Sequence, residues 1–388
     1  MASSTISFLP VGEKNGGMTL IKLNNDDIKT SIIIDCSIGD ESIANHCDVN
    51  QELRGRLPKD SNDRPYVDAF ILTHRHEDHL KGFSKHFHTG SLDEYDDDEN
   101  ELKIVIRELW SSHNFWKPAS KNYPLCENAK IFNKEMKRRV ALFEKNKKIQ
   151  PEGDRAIIIG KDPDGKTDDL AAINYDIGES FSKINNISLS TKLKGFILGP
   201  IEKQKDEDDE SFIDQNRQSI VVQLIINQGN FDNKILMGAD AECLVWETYW
   251  NKYKNAKSII EYDILYAPHH CSWHSLSYDS QSDCEDPQVC EDAKKALSQN
   301  KKGAYIISQS RIIKDDDKNP PSKKAKDEYV NIIGKNFFIC TNEYPNEKKP
   351  EPIEFNLTNS GPQIKAIKEK SRLAAASYAS TMEPSPHG

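Results

Sequence analysis

The stretch from Ala69 to Gly82, AFILTHRHEDHLKG, places three histidines and an aspartate directly after an apolar run. Because side chains alternate along a strand, Phe70 and Leu72 can be anchored in a core while the polar residues emerge at its carboxyl end. Imidazole and carboxylate ligands together suit zinc, manganese or iron, and four so close together favour two metal ions. A solvated polar loop is the weaker alternative. The four candidate ligands are His74, His76, Asp78 and His79.

Three further apolar runs end in residues of the same kind. KILMG at 234–238 precedes Asp240, DILYAP at 263–268 precedes His269 and His270, and LKIVIRELW at 102–110 precedes His113 after two serines. Sites in layered α/β proteins are built where strands end. We therefore expect Asp240 and the histidines after the third run to join the first cluster, whereas His113 is more simply explained as a surface histidine after a turn.

The composition predicts one core diluted by polar segments. The chain has 388 residues, of which 36% are hydrophobic and 29% charged. We predict a single domain over residues 1–368, with polar insertions at about 83–101, 115–180 and 202–215. The segment 83–101 is expected to be a surface loop because its acidic composition is too polar to bury. Residues 369–388 are expected to be a disordered tail.

Charge and cysteine content limit the partners and the compartment. The net charge of -10 weakens a nucleic-acid interpretation without excluding it, because acidic loops can accompany a locally basic face. The pattern at 132–148 predicts a helix with a basic outer face, which is either solvated or in contact with a nucleic-acid backbone. Scattered cysteines without a C-x-x-C pair, and no apolar run long enough to span a bilayer, predict a cytoplasmic protein that does not enter membranes. The basic residues are Lys134, Lys137, Arg138, Arg139, Lys145, Lys147 and Lys148.

The order of the motifs resembles the metallo-β-lactamase superfamily of binuclear metallohydrolases. That order is His-x-His-x-Asp-His after one apolar strand, Gly-x-Asp after a later one, and a third strand ending in His-His. More narrowly, the chain resembles the soluble hydrolase domain of the ComEC type. The matching pieces span most of residues 6–345: FLPVGEKNGGMTLI, IIIDC, LTHRHEDHLKG, FILGP with Asn216 and SIVVQL after it, LMGAD and APHHCSWHS.

This resemblance implies a four-layer αβ/βα sandwich, with two mixed sheets inside, helices outside and the site at one edge. It also implies two divalent metal ions, zinc or manganese, as cofactors. Carried over by position, His74 and His76 hold one metal, Asp78 and His79 hold the other, and Asp240 bridges them.

The last ligands stay open. His269 is favoured because it comes first after its strand, which leaves His270 as an outer or substrate contact, but the reverse assignment is possible. His113 is the candidate for a further histidine that many relatives have before the bridging aspartate.

The resemblance implies hydrolysis by a metal-activated hydroxide, because the pKa of water falls towards ~7 when it binds such metals. Asp78 is expected to orient that hydroxide or accept its proton. His270, Ser272, His274 or Ser275 would stabilise developing charge or protonate the leaving group. Ser275 is equally explained as an ordinary turn residue.

A metal-dependent phosphodiesterase, most simply a nuclease, is the function that this resemblance favours. The first alternative is hydrolysis of a small phosphodiester or another ester, which suits the net negative charge. A second alternative is a metal-binding regulatory protein whose charged insertions bind a protein partner. Two departures from the ComEC pattern concern the substrate side: Cys271 replaces a glycine after His270, and Gly16-Gly17 replaces a Gly-Asp turn.

Overall fold

A computed structural model of the chain describes residues 3–12, 14–25, 28–39, 47–97, 102–117, 124–201, 216–318 and 320–366. The predicted insertion at 202–215 and the predicted tail at 369–388 lie outside the described residues.

The described residues form strands and helices in the following order. The strands are β1 (Ser4–Phe8), β2 (Thr19–Asn25), β3 (Ile28–Ile34), β4 (Cys36–Ser37), β5 (Tyr66–Ile71), β6 (Leu80–Lys81), β7 (Val105–Ser112), β8 (Arg155–Ile159), β9 (Asn174–Tyr175), β10 (Ser180–Phe181), β11 (Lys183–Ile184), β12 (Ile187–Ser188), β13 (Leu193–Ile197), β14 (Val222–Gln228), β15 (Phe231–Met237), β16 (Tyr262–Tyr266), β17 (Asn300–Ser308), β18 (Phe338–Cys340), β19 (Ile353–Thr358) and β20 (Gly361–Ile364). The helices are α1 (Val49–Arg54), α2 (Phe83–His86), α3 (Glu127–Asn146), α4 (Cys243–Tyr253), α5 (Glu291–Leu297) and α6 (Lys323–Ile333).

Two large mixed sheets organise the chain. The first has the order β20-β19-β1-β2-β3-β5-β7-β8-β9, antiparallel as far as β3 and parallel beyond it. The second has the order β10-β13-β14-β15-β16-β17-β18, antiparallel as far as β15 and parallel beyond it. In each sheet, the parallel strands therefore end on the same side.

Apolar side chains pack the sheets face to face, with helices outside. Ile6 and Ile32 of the first sheet share one core with Leu224 and Ile235 of the second. A separate core joins Leu236, Leu265 and Ile306 of the second sheet to helices α4, α5 and α6. On the other outer face, Phe70 of β5 contacts Phe132 of α3. The predicted four-layer αβ/βα sandwich is confirmed.

Parts of the predicted insertions at 83–101 and 115–180 contribute to the core and to the first sheet. Phe83 and Phe87 are buried, because their rings pack on Phe70 beneath α3. Residues 127–159 supply α3 and β8, and β8 extends the first sheet beside β7. The acidic residues that follow Phe83 and Phe87 in the sequence made the whole segment look too polar to be buried.

The basic face of α3 is smaller than its sequence predicted. Arg139 is buried, where its guanidinium donates to Glu135 and to the carbonyl oxygens of Arg155 and Ile106. Arg138 pairs with Glu135 and with Asp154 of the loop before β8. The lysines of the predicted set remain exposed: Lys134, Lys137, Lys145, Lys147 and Lys148.

No helix in the described part of the chain is both long and apolar enough to cross a membrane.

Candidate metal centre

The ligand-type residues come from the carboxyl ends of parallel strands in both sheets. His74 follows β5. The residue before it, Thr73, connects the two sheets, because its carbonyl oxygen accepts a hydrogen bond from the backbone N–H of Ile220 at 2.9 Å. Asp78 and His79 lie in a short 3-10 helix, Glu77–His79. Asp240 follows β15 of the second sheet and is 1% exposed. The two sheets therefore bring distant parts of the chain to one edge.

Asp240 lies between two sets of imidazoles. Its Oδ1 is 3.1 Å from His79 Nε2 and 3.6 Å from His270 Nε2. Its Oδ2 is 3.3 Å from His74 Nε2 and 3.7 Å from His269 Nε2. Each carboxylate oxygen of Asp240 thus faces a different pair of ring nitrogens.

The turn after β16 lets two successive histidines face Asp240. His269, His270 and Cys271 have φ values of 48°, 53° and 66°. Non-glycine residues rarely adopt this left-handed conformation, and each such residue costs of order 1–3 kcal/mol. Consecutive side chains thereby reach opposite oxygens of Asp240. We infer that both histidines belong to the centre, rather than only one of them.

The donor set fits divalent metal ions. Asp78, His79, Asp240 and His270 offer ligand atoms within 4.8 Å of one another, and so do His74, His76 and Asp78. The Nε2 atoms of His79 and His270 are 3.2 Å apart. Buried polar atoms normally have a partner, yet His74 Nε2 and Asp240 Oδ1 have no hydrogen bond among the described residues. Nitrogen and oxygen ligands in this number suit zinc or manganese.

Asp35, which follows β3, fixes the ring of His79. Its Oδ2 is 2.7 Å from His79 Nδ1, so that Nε2 of the same ring faces Asp240. Thr73 donates its N–H and hydroxyl to the same carboxylate at 2.8 and 2.7 Å. Such an outer carboxylate sets the tautomer of a metal-binding histidine and raises its basicity. Gly17 packs behind the pair, since an added Cβ there would lie 3.3 Å from His79 Nδ1.

Gln309, which follows β17, plays the corresponding part for His270. Its carbonyl oxygen accepts the hydrogen bond of His270 Nδ1 at 2.9 Å. Its side chain accepts from the N–H of Met18 and the hydroxyl of Thr19, and donates to the carbonyl oxygens of Leu9 and Met18. Gln309 therefore ties the second sheet to β1 and β2 directly beside the centre.

The neighbouring charges act on the protonation of the cluster. Burial alone would raise the pKa of Asp240, but the imidazoles of His79, His74, His270 and His269 hold it well below its usual value. Burial also opposes charge on His79, yet Asp240 and Asp35 raise its pKa well above the usual value. The buried carboxylates therefore stabilise positive charge at this position, which is what a bound cation supplies.

Four of the predicted site residues lie outside the two ligand groups: His269, which still faces Asp240, and His113, Ser272 and His274. His113 is buried and packs against Gly160, where an added Cβ would lie 3.2 Å from its Nδ1. Ser272 is buried and its Oγ caps the next turn by accepting from the N–H of His274, which is itself partly exposed. Cys271 is buried beside Ser322, so it does not face the ligands. Roles for His113, Ser272 and His274 stay predictions.

Asp35 and Gln309 were not assigned roles from the sequence. Both directly follow a strand, IKTSIII for Asp35 and NKKGAYIIS for Gln309, and Asp240 and His74 come three residues after theirs. The same strand-end criterion that identified the ligands could have identified their supports.

The sequence matches no protein-family model and no curated protein. Among solved structures, the chain is similar to unliganded yeast PDE1, with 11% identity and a TM-score of 0.38 over 88% of this chain and 97% of that one. It is also similar to a long form RNase Z from yeast, with 13% identity and a TM-score of 0.33 over 79% of this chain and 37% of that one. The chain thus spans little more than a third of that RNase Z. Because both TM-scores are below 0.5, the function proposed below rests on this chain's own residues.

We expect Asp35→Asn to weaken metal binding by about 10- to 100-fold, the usual effect of changing an outer partner of a metal-binding histidine. Asparagine keeps the shape and tolerates the φ of 60° at this position, but it lacks the charge that holds the ring of His79. Isothermal titration of metal-free protein with zinc or manganese measures the change.

The matched control is Asp68→Asn. Asp68 of β5 is also buried, but it binds Ser31 of β3 and Arg107. The Asp68→Asn substitution should lower the thermal stability of the protein and leave its metal affinity unchanged. Equal metal affinities in the Asp35 variant and the unmodified protein would contradict the role of Asp35.

Proposed function

We propose that this chain is a metallo-β-lactamase superfamily hydrolase of the ComEC type, a binuclear metal-dependent phosphodiesterase that cleaves nucleic acid. The observation that carries the proposal is Asp240, whose two oxygens face two separate sets of imidazoles. The ComEC subgroup is inferred from the adjacent His269 and His270 and from Asn216 with SIVVQL, a segment that is hydrogen-bonded to Thr73 beside the centre.

His74, His76 and His269 would hold one metal with Asp240, and Asp78, His79 and His270 would hold the other. When bound, the two metals supply Lewis acidity and lower the pKa of water towards ~7. Asp35 and Gln309 keep the Nε2 atoms of His79 and His270 directed at the ligand cluster. Asp78 is 34% exposed at its side chain, so it can orient the attacking water and accept its proton. His274 would donate a proton to the leaving group.

A direct assay tests the function. Purified protein loaded with zinc or manganese is incubated with single- and double-stranded DNA, RNA and bis(p-nitrophenyl) phosphate, alongside Asp78→Asn as the inactive control. We expect cleavage of a polynucleotide that Asp78→Asn abolishes. Turnover of the chromogenic diester alone would instead support the small-phosphodiester alternative. Hydrolysis of none of these substrates by metal-loaded protein would contradict the proposal.

The exposed lysines of α3 offer a path for a polynucleotide. The helix begins beside the centre, because Ser84, just after the metal motif, donates its N–H and hydroxyl to Asn128 Oδ1 at 3.0 and 2.7 Å. Lys130, Lys134 and Lys137 then follow at helical spacing on its exposed face. Such a row can neutralise successive phosphates.

We expect the double variant Lys134→Gln/Lys137→Gln to reduce the salt dependence of nucleic-acid binding. The slope of log affinity against log salt should fall by about 1 for each lysine that contacts a phosphate. Fluorescence anisotropy of a labelled oligonucleotide at several salt concentrations measures the slope. The control, Lys252→Gln/Lys254→Gln, removes equal charge from the end of α4, on the other helix layer. Identical slopes for both double variants would rule out α3 as the path.

A further inference from the structure

Arg75, which lies between His74 and His76, carries a positive charge that has no anionic partner in the described part of the chain. Its Nη1 donates to the carbonyl oxygen of Lys117 at 3.0 Å. Among the described residues, no charged neighbour acts on its guanidinium, and the side chain is only partly exposed. Most of the donors of this guanidinium are therefore available to a ligand.

Within the described part of the chain, the charge of Arg75 has no paired carboxylate. The carboxylate that acts on the neighbouring His113 is Asp162, and it forms no ion pair with Arg75. Asp162 is buried, and its Oδ1 accepts the N–H of Asp164. A partly buried cation without a counter-ion is unfavourable, so an anion bound here would gain a desolvated partner.

The hydrogen bond to Lys117 directs the guanidinium towards the segment that follows β7. Lys117 follows the short 3-10 helix His113–Trp116 that continues from the end of β7, and β7 is the parallel neighbour of β5. The backbone of Arg75 itself lies between those of His74 and His76. A ligand that reaches from the metal centre to Arg75 would therefore run along the edge of the first sheet.

We propose that Arg75 forms a subsite for a second phosphate group of the substrate, adjacent to the one at the metal centre. This rests on the proposed function, and it specifies the substrate class as oligonucleotides rather than isolated phosphodiesters. The planar guanidinium can bind phosphate through two parallel hydrogen bonds, which a lysine ammonium cannot do.

Inorganic phosphate and metal-free protein test the subsite without requiring catalysis. After chelation, we expect low-millimolar phosphate to raise the melting temperature of the unmodified protein and to raise that of Arg75→Gln much less. Arg75→Lys retains the charge and most of the aliphatic side chain, so it should bind phosphate with reduced affinity. This variant replaces Arg75→Gln in the comparison if the glutamine variant folds poorly. The control is Arg64→Gln, because Arg64 pairs with Asp60 ahead of β5, at the opposite end of that strand.

Equal phosphate-induced shifts in the unmodified protein, Arg75→Gln and Arg75→Lys would overturn the subsite. Absence of a shift in the unmodified protein would overturn it as well. If phosphate binds through Arg75 but metal-loaded protein cleaves no phosphodiester, the subsite stands and the proposed function fails. Kinetics supply a second measurement: the preference in kcat/KM for a dinucleotide with a terminal phosphate, over the same dinucleotide without it, should fall at least about tenfold in Arg75→Gln.

Discussion

Asp240→Ala should abolish tight metal binding and reduce phosphodiester hydrolysis by about 10²- to 10⁴-fold or more, the range that corresponds to the loss of a buried charge partner. Asp240 is the carboxylate on which His74, His79, His269 and His270 converge, all within 3.7 Å of its oxygens. Its removal leaves these imidazoles to repel one another and takes a ligand from both metal positions. Metal content after dialysis, measured by plasma mass spectrometry, and turnover of the best substrate test this expectation.

Asp263→Ala is the matched control. Asp263 is buried in β16 of the same sheet, but its Oδ2 accepts from the N–H of Lys234 and the ammonium of Lys301, at 2.8 and 2.9 Å. We expect this variant to unfold at a lower temperature and to retain its metal. If Asp240→Ala keeps the same metal content and activity as the unmodified protein, the whole assignment of the centre is wrong.

The grouping of the candidate ligands at one edge could be predicted from sequence because these residues follow apolar runs. Parallel strands of one sheet end on the same side, so polar residues after β5, β15 and β16 had to lie near one edge once the sheets packed face to face. The same argument predicts a role for His113 that stays a prediction. That residue follows β7, which lies beyond β5 as seen from β3, and its ring packs against Gly160.

The supports of the cluster were harder to predict because one polar residue after a strand is common. Asp35 matters only because β3 pairs with β5, which brings its carboxylate to His79. The side chain of Gln309 forms hydrogen bonds with Leu9, Met18 and Thr19, which lie about 290 to 300 positions earlier in the sequence. No local pattern encodes such a contact.

Part of the fold was missed for similar reasons. β19 and β20 extend the first sheet because β19 pairs with β1, joining Ser4 to Leu357 across nearly the whole chain. Their alternation of buried and partly exposed residues is typical of a strand, but the sequence does not reveal the partner. In α3, helical spacing was read correctly, whereas the inward direction of Arg139 depends on its buried partner Glu135.

The neighbours His269 and His270 should affect different metal positions. His270 Nε2 is 3.1 Å from Asp78 and 3.2 Å from His79 Nε2, on the side of Asp240 Oδ1. His269 is nearest to Oδ2, the oxygen that also faces His74. Each single alanine variant should therefore bind one metal more weakly and retain the other. The loss of affinity for the first metal should exceed the roughly 100-fold seen when an outer partner is changed.

Metal stoichiometry and anomalous scattering from manganese-loaded crystals distinguish the two positions. We expect His270→Ala to lack density between Asp78 and His79, and His269→Ala to lack density beside His74. The control, His88→Ala, removes another buried histidine whose Nε2 binds the carbonyl oxygen of Ser91 away from the centre, and both metals should remain. Full occupancy of both positions in His269→Ala would show that, of the two histidines, only His270 is a metal ligand. The left-handed turn at 269–271 would then not serve to direct one histidine to each metal.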